Sequence, residues 1–473
     1  MSAAETAARL QPPGLRALIA VVGHGLIERE EQARCLVLAL LSGEHLLLVG
    51  PPGTAKSELA RRLHRLAGGA YFERLLTRFS VPEELFGPLS LVALDEGRYE
   101  REVRGYLPTA SVAFLDEVFK ANSAILNALL GLLNERVFDQ GAQRLAVPLV
   151  TLVAASNEPP DDPGLAAFHD RFLFRCPVPP VSDQAFGQLL VAGASADGLP
   201  IGADASTRAT PSPLDLSALQ ALRERAAAVA LPPAVVALLL ALRERLRAAA
   251  VPVSDRRWVR LVAVLRVAAL ANGRDAVAAA DLCVLPWLVC ERAEEHEPLR
   301  EWLAASLGAG AEVDPQWLWR AAQAFERQLE LESSATELAF DDSGKLALMR
   351  SVGGAEGSEL GEGAPRLSAF SRRKRYSAGH IAARLAQIDQ LLGEVERFTS
   401  TALAHERLLG EQLAANLWVA PAFAQQVLAV LRANCERVLA CQAALRDTRA
   451  AFAALPVTEG DDGRVPEPVR LDD

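Results

Sequence analysis

Between residues 8 and 180 the chain alternates short apolar, β-rich runs with stretches of helical period. Leu15 to Leu41 reads as helix, His45 to Val49 as strand, Glu58 to Leu66 as helix and Tyr71 to Leu76 as strand. Val112 to Asp116 follows as strand, Ser123 to Leu133 as helix, then Leu149 to Ala154 and Phe172 to Val178 as strands. Continuous apolar strands separated by helices predict an α/β fold, a parallel sheet with helices on both faces. Such a sheet binds ligands at the carboxyl ends of its strands. Two segments interrupt the alternation and read as β-hairpins. One is Leu89 to Tyr106, turning at Asp95-Glu96-Gly97, and the other is Arg136 to Leu145, turning at Gln140-Gly141.

Past residue 192 the pattern changes. A Gly/Ser/Ala/Pro-rich stretch at 193–213 reads as a linker, and Leu214 to Arg247, Arg257 to Ala271 and Ala278 to Arg292 have helical period with few β signals. Asp281 and Ser254-Asp255 are capping candidates there. Trp317 to Leu331 is again helical, and Ile381, Leu385, Ile388, Leu391, Leu392, Val395 and Phe398 form an a/d-like seam followed by a helix from Pro421 to about Leu455. The expected division is an αβα domain at 1–192, a linker, an all-α domain at 214–310 and a discontinuous triple-helical bundle at 311–331 and 379–456. An insert or reduced β module falls at 332–378, with Leu338-Ala339-Phe340 and Lys345 to Val352 as its core. The basic cluster Arg372-Arg373-Lys374-Arg375 reads as a solvated helix lead-in, and 457–473 as an acidic tail.

The chemistry begins at Gly50 to Ser57, reading Gly-Pro-Pro-Gly-Thr-Ala-Lys-Ser: Gly50, Pro51, Pro52, Gly53, Thr54, Ala55, Lys56 and Ser57. A strand, a glycine loop and a helix start aim backbone N–H groups at a phosphate chain, with Lys56 as a point charge and the Ser57 hydroxyl as a Mg²⁺ ligand. Ala55 stands where the pattern wants glycine, and its Cβ is tolerable if the residue avoids positive φ. Downstream, an apolar strand ends in Asp116 and Glu117. Asp116 suits holding Mg²⁺ through its water shell, and Glu117 suits orienting and activating a water. The next strand ends in Ser156-Asn157, whose amide can bond a γ-phosphate or the attacking water. Asp170-Arg171-Phe172 and Arg175 follow, and Arg256 and Arg257 open a later helix. A guanidinium matches phosphate geometry and stabilises transition-state charge.

Charge and composition narrow the partners. The formal charge of −10 argues against a general nucleic-acid coat, which needs surplus Lys and Arg. The six cysteines, Cys35, Cys176, Cys283, Cys290, Cys435 and Cys441, are scattered without a Cys-x-x-Cys pair and predict reduced thiols rather than disulfides or a zinc site. Neither an uninterrupted membrane-length apolar run nor an export signal is visible, so a cytoplasmic protein is expected.

With these motifs in order, the chain resembles the AAA+ ATPases, and within them the MoxR family and its RavA-like branch. The resemblance rests on Gly50 to Ser57, Thr77-Arg78-Phe79-Ser80-Val81-Pro82-Glu83-Glu84-Leu85-Phe86-Gly87-Pro88-Leu89, Gly97-Arg98-Tyr99 and Gly105-Tyr106-Leu107-Pro108. It continues through Phe114-Leu115-Asp116-Glu117, Asn134-Glu135-Arg136, Ala154-Ala155-Ser156-Asn157-Glu158 and Ser254-Asp255-Arg256-Arg257-Trp258. It covers residues 10 to 310 densely and the terminal helices loosely. The resemblance implies Walker A at Gly50 to Ser57, where alanine before the lysine is usual in this branch, and Walker B at Phe114 to Glu117. It further implies a sensor 1 at Asn157, an arginine finger at Arg171, and a sensor 2 at Arg256 with Arg257 the fallback. The hairpin segments look like the helix-2 insert and pre-sensor-1 hairpin that face the pore in related rings. ATP and Mg²⁺, a homo-hexamer, a von Willebrand factor A (vWA) partner and chaperone-like remodelling of an unnamed protein client are implied likewise. A DNA-acting AAA+ motor or a chelatase-type subunit is the alternative. The short segment 332–378 departs from the fuller β-rich module of that branch, so a partner docked through such a module is not carried over.

Overall fold

The computed structural model describes residues 10–141, 143–160, 162–194, 213–309, 316–338, 348–350, 367–369, 371–458 and 466–469. Five parallel strands form the central sheet: β1 (Leu46–Val49), β2 (Tyr71–Leu75), β3 (Val112–Asp116), β6 (Thr151–Ser156) and β7 (Phe174–Pro177), in the order β2-β3-β6-β1-β7. Register pairs Leu47 with Ala154 and with Arg175, and Phe114 with Val153. The first three residues of β1, the first four of β3 and all of β6 are buried, as a sheet covered on both faces demands. This register brings the carboxyl ends of β1, β6 and β3 side by side, so that the residues following each strand share one edge.

Several elements differ from the sequence expectation. The run Leu15 to Leu41 is two helices, Pro12–Gly23 and Glu30–Ser42, because Gly25 (φ +70°) and Glu28 (φ +55°) reverse the chain between them. Leu214 to Arg247 likewise splits into Leu216–Ala226 and Pro233–Ala248, where Pro232 and Pro233 end one helix and start the next. Ala278 to Arg292 holds a 3₁₀ segment, Ala279–Val284, and a short helix, Leu285–Val289, rather than one long helix. The Leu89 to Tyr106 segment is not a β-hairpin. Its apolar run forms a helix, Leu91–Asp95, N-capped by Ser90, and the stem is closed by a single bridge between Leu89 and Arg101. The second segment pairs β4 (Val137–Gln140) with β5 (Gln143–Ala146) around Gly141.

The all-α region that follows adds the helices Asp255–Ala271 and His296–Ala309. Ser254 caps the first of these by accepting from Arg257 N, as its position suggests. Residues 1–307 and 410–427 make one compact unit, so the segment around Asn416 belongs with this region. It is held by a buried polar knot. Asp281, fully buried, accepts from Asn416 Nδ2 (2.9 Å) and Ala278 N (2.9 Å) and pairs with Arg274, while Trp418 Nε1 donates to Ala268 O (3.0 Å).

Residues 308–409 and 428–473 form a second compact unit. Its core joins Leu318 and Phe325 from the helix Gln316–Ser334, Ile388 and Val395 from Ala378–Ala415, and Leu445 and Phe452 from Pro421–Ala453. The predicted seam supplies the inward face of the middle helix. Four short strands lie in the 332–378 segment: β8 (Thr336–Leu338) pairs antiparallel with β11 (Ser371–Arg373), and β9 (Leu348–Arg350) with β10 (Leu367–Ala369). The basic cluster therefore starts on a strand and not on a helix lead-in, with Lys374 over the Tyr376 ring. The remainder of the expected β core, Ala339, Phe340, 345–347, Ser351 and Val352, lies outside the described residues, as do most of the linker at 193–213 and most of the acidic tail. All six cysteines are free thiols. Among the described residues no helix is long and apolar enough to cross a membrane, and no cluster of His, Cys, Asp and Glu could hold a metal ion by itself.

Candidate nucleotide site

The loop Gly50–Ala55 joins β1 to the helix Lys56–Ala67. Two glycines are required by space and torsion. A Cβ on Gly50 would stand 2.1 Å from Val178 O, and Gly53 has φ +81°. Ala55 has φ +70°, in the left-handed region, so the condition under which its Cβ would be free of strain is not met. The loop keeps the shape of a glycine at this position with an alanine in it. Thr54 Oγ1 donates to Pro51 O (2.9 Å), tightening the turn from within.

Three strand ends deliver the polar groups. Lys56 Nζ donates to Gly50 O (2.6 Å), Pro51 O (2.9 Å) and Asn157 Oδ1 (3.3 Å). Asn157 Nδ2 in turn donates to Glu117 Oε1 (2.6 Å), and Lys120 Nζ pairs with Glu117 Oε2 (3.3 Å). Glu117 sits at φ +53°, a sharp turn at the end of β3 that Asp116 Oδ1 supports by accepting Glu117 N (3.0 Å). Burial lowers the pKa of Lys56, with Asp116 and Glu117 pulling it back up, and burial raises that of Asp116 against its bond from Glu117 N and the Lys56 charge. A lysine, an amide and two carboxylates around a loop with no room at Gly50 for a side chain have the charges and the space to take a phosphate chain with its divalent cation.

The sequence pattern did not single out Arg29. Its buried guanidinium donates to Thr54 O (3.1 Å) and Pro179 O (2.7 Å), bracing the loop from the break between the first two helices. The signal was present in Glu28-Arg29-Glu30-Glu31, a charged run inside an apolar stretch. Lys120, one of only four lysines, was equally visible without a stated role.

The arginines divide. Arg257 is 3% exposed and donates to Leu288 O (2.6 Å), Leu173 O (2.6 Å) and Phe172 O, and it pairs with Asp170 (3.4 Å). Burial pushes its pKa down to about 9, so it is still a cation at neutral pH. Its donors are spent on holding the helix Asp255–Ala271 to the helix Leu285–Val289 and to the residues just before β7. Arg256 is exposed and donates to Asn134 Oδ1 (3.3 Å), and Arg175 is buried beside Glu291 (3.5 Å). Arg171 follows the short helix Ala166–His169, its Nε buried without a partner. Neither Arg171 nor Arg256 is hydrogen-bonded to the Lys56, Asn157 and Glu117 group among the described residues.

Residues 14–220 match the family described as the MoxR domain in the MoxR-vWA-beta-propeller ternary systems, and residues 234–303 match an AAA lid domain. The protein MJ0812 of Methanocaldococcus jannaschii is 51% identical over 150 residues, 32% of this chain and 40% of that one. Chaperone MoxR1 of Mycobacterium tuberculosis is 28% identical over 157 residues, 32% of this chain and 41% of that protein. The chain thus spans about two fifths of the length of both. Protein MoxR of Paracoccus denitrificans is 28% identical over 309 residues, 58% of this chain and 87% of that protein. Within residues 14–303 the chain is thus similar to MoxR-family AAA+ proteins, through a MoxR-domain match over the residues of the parallel sheet and an AAA-lid match after it.

Proposed function

We propose that this protein hydrolyses ATP and works as a ring, a hexamer of MoxR type, that remodels or activates a partner protein. The carrying observation is the contact chain Lys56–Asn157–Glu117, which joins the ends of β1, β6 and β3 at one point. In this reading Gly50 to Ala55 and Lys56 hold the phosphates, and Ser57 and Asp116 hold Mg²⁺, which neutralises charge on the phosphates when bound. Glu117 takes a proton from the attacking water, which Asn157 orients. Arg171 serves the site of the neighbouring subunit, and exposed Arg256, rather than buried Arg257, is the lid's contribution.

A vWA-domain partner is proposed from the description of the matched family, and the chaperone role from the name of the mycobacterial relative. Placement in the RavA-like branch rests on the motif run alone. Glu117→Gln should bind ATP and release no phosphate, while Lys56→Ala should fail to bind. Ordinary turnover by the Glu117 variant would overturn the assignment of the base. Co-purification of a vWA-domain protein with the Glu117 variant in ATP and not in ADP supports the partner, and capture in neither nucleotide removes it.

A further inference from the structure

The turn that carries Arg171 is gripped from two sides by elements of its own chain. On one side Phe119, in the 3₁₀ turn Val118–Lys120 that follows Glu117, meets Phe168 edge-on (6.2 Å between ring centres) and His169 (5.9 Å). Phe168 meets Phe172 edge-on in turn (5.3 Å), and both are buried. On the other side Arg257, from the lid helix, holds Asp170 and the Phe172 and Leu173 carbonyls. Arg171 lies between these grips, bonded through its own N to Phe168 O (3.1 Å).

Edge-on aromatic packing has a preferred geometry, so a shift of one ring moves its neighbour rather than sliding past it. Phe119 is rigidly tied to Glu117, two residues away through a turn whose Lys120 N donates to Glu117 O (2.9 Å). Glu117, through Phe119, and the lid, through Arg257, thus each reach the turn at Arg171 by direct contact.

We propose that residues 166–172 are a positioning device in which Phe119 and Arg257 set where Arg171 stands according to the chain's own nucleotide site. The hydrolytic state of one subunit then governs the guanidinium it offers to the next, which gives the ring an order of firing. Phe119 is on this account a positioning residue for the neighbour's reaction and not for its own. The proposal rests on the reading of Arg171 as a finger that acts across the subunit interface.

The test is complementation between full-length subunits. Phe119→Leu should retain ATP binding while turnover falls on the order of 10²-fold, the cost of a displacement of about 1 Å at a catalytic group. Phe119→Tyr, which keeps the ring, should retain turnover. Mixed with Glu117→Gln subunits, Phe119→Leu subunits should regain hydrolysis, because their own sites are intact and receive a well-placed Arg171. Mixed with Arg171→Ala subunits they should not, because the only arginine offered is misplaced. The reverse pattern, rescue by Arg171→Ala and none by Glu117→Gln, would show that Phe119 supports its own site and would overturn the proposal. Rescue by both or by neither overturns it as well. A separate mixture of Arg171→Ala with Glu117→Gln checks the underlying reading, and if it stays inactive the finger assignment itself fails. If Phe119→Leu does not fold, Phe119→Met carries the same test.

Discussion

Replacing Arg257 should loosen the lid, both within itself and against the residues that lead into the sheet, and replacing its neighbour should not. Arg257 makes two short bonds, to Leu288 O and Leu173 O at 2.6 Å each. Bonds from a charged donor contribute about 1.5–2 kcal/mol apiece at the low end of their range, so these two supply about 3–4 kcal/mol. The contacts to Phe172 O and Asp170, at 3.3–3.4 Å, are weaker and add little. Against this stands the desolvation of the guanidinium, which Arg257→Met would recover. A net loss of about 2–3 kcal/mol follows, because the carbonyls are left without donors in a buried place. Arg256→Met removes one 3.3 Å bond from an exposed side chain and should stay within about 0.5 kcal/mol of the parent. Urea unfolding followed by tryptophan fluorescence reads both variants, since Trp287 is buried on the lid helix Leu285–Val289 that ends beside Leu288. An Arg257→Met midpoint equal to the parent's, or an equal loss in the two variants, would refute the division of labour between these arginines.

Other consequences are as direct. Ala55→Gly should stabilise the protein by about 0.5–1 kcal/mol, because left-handed strain of about 1–2 kcal/mol is relieved against the greater freedom glycine has when unfolded; a lower melting temperature would contradict the backbone reading. His169 and His296 are pushed down by burial to about 3 and about 4, so both stay neutral in the fold while the unfolded chain takes up protons below about pH 6.5. Stability is thus complete above that pH and falls by about 1.4 kcal/mol per pH unit for each histidine on acidification; a urea midpoint unchanged from pH 7.5 to 5 would exclude this. Asn416→Ala should cost about 2 kcal/mol, measured by the same unfolding, because Asp281 loses a buried donor; a neutral result would mean that the knot is not required.

The strands of the sheet were legible because burial on both faces writes each one as an unbroken apolar run, and the carboxylates at the end of β3 were legible because the run stops there. Ala55 was not, since residue type constrains φ without fixing it. The choice between Arg256 and Arg257 was closed to the sequence for a different reason. Neighbours on a helix point about 100° apart, and which one faces inward depends on the angle at which the helix docks. The Leu89 to Tyr106 segment misled because the four apolar residues Leu91 to Leu94 suit a strand or a single helical turn equally well, and a serine cap decided it. Arg29 escaped notice because its acceptors, Thr54 O and Pro179 O, are carbonyls from distant parts of the chain.

The knot at Asp281 also bears on how the chain is made. Its donor Asn416 lies 135 residues downstream, so at a synthesis rate of about 5–20 residues per second the ribosome adds that partner roughly 7–27 seconds after the aspartate. During that interval Asp281 keeps Arg274 and Ala278 N but lacks the Asn416 amide, and Ala268 O keeps Asn272 but lacks the Trp418 indole. Slowing translation between the two should lengthen the window in which a nascent lid is open to proteases or chaperones, and a fragment that stops after residue 309 would never leave it.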